Sequence, residues 1–216
     1  MTAYQRPILL VHRDRELLIA ASGARLLLAL SEAQSRSGTA HLVLTGGSMG
    51  SAILAGAGAS GLLGLVDWSR LHLWWGDERY LPAGHPDRND TQNRAALLDT
   101  LPLDPTHVHA VAGPELSTSV HDSAQQYAGQ LAAAAAPGQS LPDFDILLLG
   151  VGPDAHVASL FPGHPSLSVT ERAVMGISDS PKPPSERVTM TFPTLARATQ
   201  TWFLVSGADK ADAVKR

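Results

Sequence analysis

The 216-residue chain contains no cysteine. That absence excludes disulfides, thiolate zinc sites, iron–sulfur clusters and any cysteine nucleophile. No apolar run approaches the roughly 18 residues that a membrane-crossing helix needs. No basic segment leads into an apolar stretch and a cleavage site at the start, so a cytoplasmic protein is expected. Lysine is scarce: only Lys182, Lys210 and Lys215 stand beside 13 arginines. Acidic residues outnumber basic ones by 20 to 16, giving a net charge of −4 and a pI near 6.1. Neither nucleic acid nor a membrane is therefore an expected partner.

What is present fits one compact domain. At about 150 residues per domain the length favours a single unit spanning 1–216. Such a chain buries roughly 70% of its unfolded surface and needs no structural metal. Pro7-Ile-Leu-Leu-Val11 reads as a first strand, followed by helical spacing of Leu17, Leu18, Ala21, Ala24, Leu27, Leu28 and Ala33 up to Gly38. Leu42–Leu44, Leu71–Trp75 and Phe144–Leu149 read as buried strands; Arg187–Phe192 and Thr201–Val205 follow as later ones. Val108–Val111 is a further candidate. Helices are expected after Ser48, over Asn93–Leu98, from Ser117 to Ala136, and briefly after Pro193. The alternation predicts an α/β fold: an open, mostly parallel Rossmann-like sheet with helices on both faces.

Three glycine-bearing polar segments directly follow buried strands: Thr45–Gly50, Gly76–Arg79 and Gly150–His156. Ligands of open parallel sheets bind beyond the carboxyl ends of the strands, so these segments converge on one edge. Thr45-Gly-Gly-Ser48 ahead of a helix suits a phosphate, although a plain tight turn is the alternative. Gly46-Gly-Ser-Met-Gly50 also fits the nucleophile elbow of a serine esterase. Against that, only one strand precedes it and no oxyanion segment lies upstream. Gly150-Val-Gly-Pro-Asp-Ala155 fits a dinucleotide fingerprint, weakened by Pro153 and by its late position. His107-x-His109 lacks a third ligand, so no metal is expected. His156 differs from the other histidines because Asp154 can tune it for proton transfer. Lys182 and Arg187, around a Pro-rich rigid loop, could form a phosphate clamp with Arg79.

Leu44-Thr-Gly-Gly-Ser48, Trp75-Gly-Asp-Glu-Arg79, Leu149-Gly-Val-Gly-Pro-Asp-Ala-His-Val-Ala-Ser-Leu-Phe-Pro-Gly163 and Pro181-Lys-Pro-Pro-Ser-Glu-Arg-Val-Thr189 together resemble the glucosamine-6-phosphate isomerase/6-phosphogluconolactonase family. Ser159-Leu-Phe-Pro162 after the histidine favours the lactonase branch over the deaminases, which typically continue with Phe-Asn-Glu-Pro. The resemblance implies cofactor-free, metal-free hydrolysis of 6-phospho-D-glucono-1,5-lactone, a sugar-phosphate lactone, in the oxidative pentose phosphate pathway. It implies His156 as the base for water, Asp154 as its orienting group and Asp77 at the same edge. It also implies Gly46, Gly47, Ser48, Arg79, Lys182 and Arg187 as holders of the phosphate and sugar hydroxyls. A deaminase-like aldose/ketose enzyme and a non-catalytic sugar-phosphate sensor domain are the alternatives. A monomer or small homo-oligomer is expected. Ala155 stands where the family has glycine, so an altered backbone approach before the histidine is expected. Family members continue beyond the equivalent of Arg216, so a missing C-terminal element is expected too.

Overall fold

The computed structural model describes residues 7–215. Helix α1 (Arg15–Ser37) starts at Asp14, whose carboxylate accepts the Leu17 N–H at 2.8 Å, and stops at Gly38 in the left-handed conformation. A capping carboxylate and a left-handed glycine are what begin and end helices. The other elements are β1 (Ala40–Leu44), α2 (Gly47–Ala59), β2 (Leu71–Trp75), β3 (Asp77–Arg79), α3 (Asn89–Ala96), α4 (Val120–Ala133), β4 (Phe144–Gly150), β5 (Val174–Ile177), β6 (Arg187–Met190), α5 (Phe192–Leu195), β7 (Ala198–Leu204) and α6 (Ala211–Lys215).

Four strands make an all-parallel sheet in the order β2-β1-β4-β7. Leu42, Leu44, Leu73 and Trp75 pack with Leu26, Leu27 and Leu30 of α1 and Ile53 and Leu54 of α2. On the opposite face Val43, Trp74, Leu147 and Leu149 pack with Val120, Ala124, Tyr127 and Leu131 of α4. Each leucine so buried contributes about 1.5–3 kcal/mol. The α/β fold with helices on both faces therefore stands. No helix among the described residues is long and apolar enough to cross a membrane.

A second sheet, antiparallel in the order β3-β6-β5, is not visible in the sequence. Its first strand is Asp-Glu-Arg, which carries no apolar alternation; pairing with β6 alone makes it a strand. The first strand expected at Pro7–Val11 does not form. Among the described residues nothing takes its backbone hydrogen bonds, and Ile8, Leu9 and Val11 are 86%, 79% and 82% exposed. Val108–Val111 is reduced to a single bridge between Val108 and Leu73. Helix α3 begins at Asn89, earlier than its apolar spacing implies, because Glu78 caps it from outside the helix. The Glu78 oxygens accept the N–H groups of Asn89 (2.7 Å) and Asp90 (2.8 Å). The strand expected to reach Phe192 ends at Met190, since Phe192 opens α5.

Candidate active site

The loop after β1 is shaped by two glycines. Gly47 has φ 75°, a conformation that side chains resist. A Cβ on Gly46 would overlap the Asn89 side chain. The first turn of α2 follows, placing backbone N–H groups and the helix dipole where an anion would sit. Thr45 Oγ1 accepts the Gly150 N–H at 3.3 Å, tying this loop to the one after β4. Ser48 is exposed, and its carbonyl lies 3.5 Å from Arg15. Among the described residues no hydrogen bond joins Ser48 to His156.

The loop after β4 folds back on itself: Gly152 N–H donates to the His156 carbonyl and Ala155 N–H to the Gly152 carbonyl, both at 2.9 Å. The His156 ring then lies against Gly152, where any side chain would overlap it. His156 Nδ1 is 2.6 Å from Asp154 Oδ1, and Lys182 Nζ donates to the same oxygen at 2.8 Å. Lys182 Nζ also lies 3.2 Å from Nδ1. A carboxylate can only accept, so Nδ1 carries the proton and Nε2 keeps the free lone pair. Burial pushes the Asp154 carboxyl up, but its hydrogen bonds from Lys182 and His156 outweigh this and hold it below the usual carboxylate range. Asp154 is therefore an anion at neutral pH.

Ala155 takes φ 71°, a left-handed conformation that glycine adopts readily and alanine does not. Alanine is strained there by about 1–2 kcal/mol, offset in part by its lower freedom when unfolded. Ala155→Gly is expected to stabilise the fold by about 1 kcal/mol at unchanged loop geometry. Urea denaturation checks it; a destabilised variant would show that the strain is absent.

Asp77 is 7% exposed, and among the described residues no hydrogen bond joins it to His156. Its Oδ2 accepts the Ser159 hydroxyl at 2.6 Å and lies 4.0 Å from Arg187 Nη1. Its main-chain carbonyl accepts the Asn89 amide at 2.8 Å. Asp77 thus joins the histidine loop, β6 and α3. Arg187 is 6% exposed and donates to the carbonyls of Lys182, Pro183 and Pro184, bracing the Pro-rich loop. Phe161 lies between His156 (centroids 4.7 Å apart) and the Arg187 guanidinium (5.9 Å). Arg79 Nη1 donates to the Asp87 carbonyl at 2.6 Å and to Asn89 Oδ1 at 2.8 Å. Arg79, His85, Asp87 and Gln92 face Pro183 and Pro184 across an open cleft of about 420 Å³.

The strand-end segments thus converge, in two groups. His156, Asp154 and Lys182 form one; Asp77, Arg79 and Gly46 meet through Asn89 in the other. Ser159 and Arg187 connect them, while Gly47 and Ser48 flank the second group. Sequence reasoning missed Asn89, Glu78 and the role of Ser159. Asn89 and Asn93, four residues apart, were the available signal: both face inward, Asn93 accepting from Trp75 Nε1 (2.9 Å) and donating to the Thr45 carbonyl (3.3 Å).

Fold and site define an α/β protein with a glycine-rich loop at a helix N-terminus and a histidine–carboxylate pair at the carboxyl edge of a parallel sheet. More narrowly, the family model described as Glucosamine-6-phosphate isomerases/6-phosphogluconolactonase matches residues 13–216, and the chain belongs to that family. A 6-phosphogluconolactonase of Streptomyces coelicolor is 50% identical over 212 residues, covering 96% of this chain and 81% of the relative. One from Mycobacterium tuberculosis is 43% identical over 203 residues, covering 93% and 81%. The solved 6-phosphogluconolactonase of Trypanosoma cruzi superposes with a TM-score of 0.81 at 26% identity, covering 95% of this chain and 82% of that one.

Proposed function

We propose that this chain hydrolyses 6-phospho-D-glucono-1,5-lactone to 6-phospho-D-gluconate, the ring-opening step of the oxidative pentose phosphate pathway. The observation that carries the mechanism is the His156–Asp154 hydrogen bond, which leaves Nε2 free to accept a proton. Water attacks the lactone carbonyl at C1 and gives its proton to Nε2. The Asp154 anion stabilises the imidazolium that forms. The tetrahedral oxyanion then collapses, the C1–O5 bond breaks, and the imidazolium returns the proton to the departing ring oxygen. A lactone carbonyl is already electrophilic, so one positioned base and some charge stabilisation suffice. Lys182 supplies positive charge beside the base.

The substrate phosphate is placed at Gly46, Gly47 and Ser48 with Arg79, remote from the reacting carbon, where it orients the lactone. Asp77 serves better as a strut than as a proton carrier, since Ser159 and Asn89 occupy it. Arg187 braces the loop that carries Lys182 instead of offering a free fork to the phosphate. A coupled assay of lactone hydrolysis above the spontaneous rate, run beside glucosamine 6-phosphate, tests the assignment. Ammonia release with only background lactone opening would defeat it.

Arg79→Ala is expected to raise KM for the phosphorylated lactone, with a loss of about 1.5–3 kcal/mol typical of a charge-assisted hydrogen bond. Lys182→Ala should raise KM and also lower kcat, because it removes a donor from Asp154. Steady-state kinetics of both variants check this; unchanged constants would move the phosphate elsewhere.

A further inference from the structure

Arg79 is held in an unusual way. Its Nη1 makes two hydrogen bonds, to the Asp87 carbonyl and to Asn89 Oδ1. Its Nε is buried and has no partner among the described residues. In the antiparallel pairing of β3 with β6, Arg79 stands directly opposite Arg187. Like charges placed opposite each other in a sheet destabilise it unless something compensates them. With Nη1 occupied and Nε buried, Nη2 is the amino group left to meet a phosphate oxygen. Among the described residues Nη2 makes no hydrogen bond.

Asn89 decides how this amino group is aimed. It is 2% exposed. Its amide nitrogen donates to the Asp77 carbonyl at 2.8 Å, which fixes the amide so that Oδ1 faces Arg79. The same side chain fills the space beside Gly46, where a Cβ would collide with it. Its backbone N–H is pinned by Glu78 at 2.7 Å. A single side chain therefore joins the glycine loop after β1 to the arginine after β2. Lysine at position 79 could not use such a hold, because it has no second amino group to present.

We propose that Asn89 is the positioning residue of the phosphate subsite: it ties down Nη1 of Arg79 so that the rest of the guanidinium, where Arg79 lines the cleft facing Pro183 and Pro184, is presented to the substrate phosphate. The inference rests on the reading that Arg79 meets that phosphate. It makes Asn89 a determinant of preference for phosphorylated over unphosphorylated lactone.

The test compares kcat/KM for 6-phosphogluconolactone with that for unphosphorylated glucono-1,5-lactone, in wild type, Asn89→Ala, Arg79→Ala and the double variant. Asn89→Ala should lower the ratio of the two by about tenfold or more, as loss of one oriented charge-assisted contact does. The effect should appear mainly in KM and should not add to that of Arg79→Ala. A purely structural role would lower both substrates together and leave the ratio alone, which would overturn the proposal. Should Asn89→Ala fail to fold, Asn89→Leu keeps comparable bulk beside Gly46 but offers Arg79 no acceptor. The ratio should again fall, and an unchanged ratio would reject the proposal. If Arg79→Ala itself leaves the ratio unchanged, the reading of Arg79 fails. If Arg79→Ala lowers it and neither Asn89 variant does, only the role of Asn89 fails.

Discussion

Replacing His156 by alanine is expected to lower kcat by roughly 10²–10⁴, the usual worth of a positioned general base. The magnitude follows from the geometry around the ring. Asp154 at 2.6 Å fixes the tautomer, Gly152 gives the ring a flat seat, and Phe161 packs on it, so the lone pair is aimed before substrate arrives. Ser48→Ala separates this mechanism from the esterase alternative raised by Gly46-Gly-Ser-Met-Gly50. A serine nucleophile and its base act as a unit, so losing either would be equally damaging. In the structure Ser48 is exposed in the first turn of α2, with no hydrogen bond to His156 among the described residues. Ser48→Ala should therefore keep at least about a tenth of kcat and mainly weaken phosphate binding. Kinetics of both variants, with mass spectrometry of enzyme quenched during turnover, decide the matter. A stable acyl group on Ser48, or equal losses in the two variants, would defeat direct attack by water.

Much of this site could be read from the chain because strand ends in parallel sheets are close in space wherever they fall in sequence. Apolar runs marked β1, β2 and β4, and glycine-rich segments after them marked the edge. The pairings within the site were not readable. Asp77 was expected at the same edge as His156, and its partners are Ser159 and Asn89, because β3 turns away into the small antiparallel sheet. Arg187 was expected in the phosphate clamp with Lys182 and Arg79, and in the fold its guanidinium meets three carbonyls of the Pro loop. Charge runs give no periodicity, so neither β3 nor the capping of α3 by Glu78 left a signal. Pro7–Val11 failed in the opposite sense: its apolar pattern was clear, but a strand also needs a neighbour.

The fold is expected to lose roughly 3–5 kcal/mol of stability between pH 6.5 and 4.5, through histidines far from the active site. His41 and His72 occupy the second positions of β1 and β2, at the end of the sheet opposite the strand-end loops. Trp74 Nε1 donates to His41 Nδ1 at 3.2 Å in one plane, and His72 Nδ1 pairs with His109 Nε2 at 3.1 Å in the next. The planes stack, with His41 4.4 Å from His72 and Trp74 3.7 Å from His109, while His107 covers His72 at 3.9 Å. A second proton on the His72–His109 pair would turn both facing nitrogens into donors and break that bond. Burial first, and the charges of neighbouring histidines second, push His41, His72 and His109 down to about 4 from an ordinary 6.5; Asp143 and Asp104 only partly oppose this. Above 6.5 both folded and unfolded chains are neutral at these positions and nothing is lost. As pH falls toward 4 the unfolded chain takes up protons that the folded one refuses, and unfolding gains. Glu78 works the other way, because burial raises it to about 7 and the folded state binds its proton first. Three groups against one leave a net uptake of about two protons on unfolding, discounted because His72 and His109 are only half-buried. Urea unfolding from pH 7.5 to 4.5 measures the slope, and His72→Asn, which removes the central ring, should flatten it by at least about one proton. Stability that stays level over this range, or an unchanged slope in His72→Asn, would show that the stack accepts protons as readily as free imidazole does.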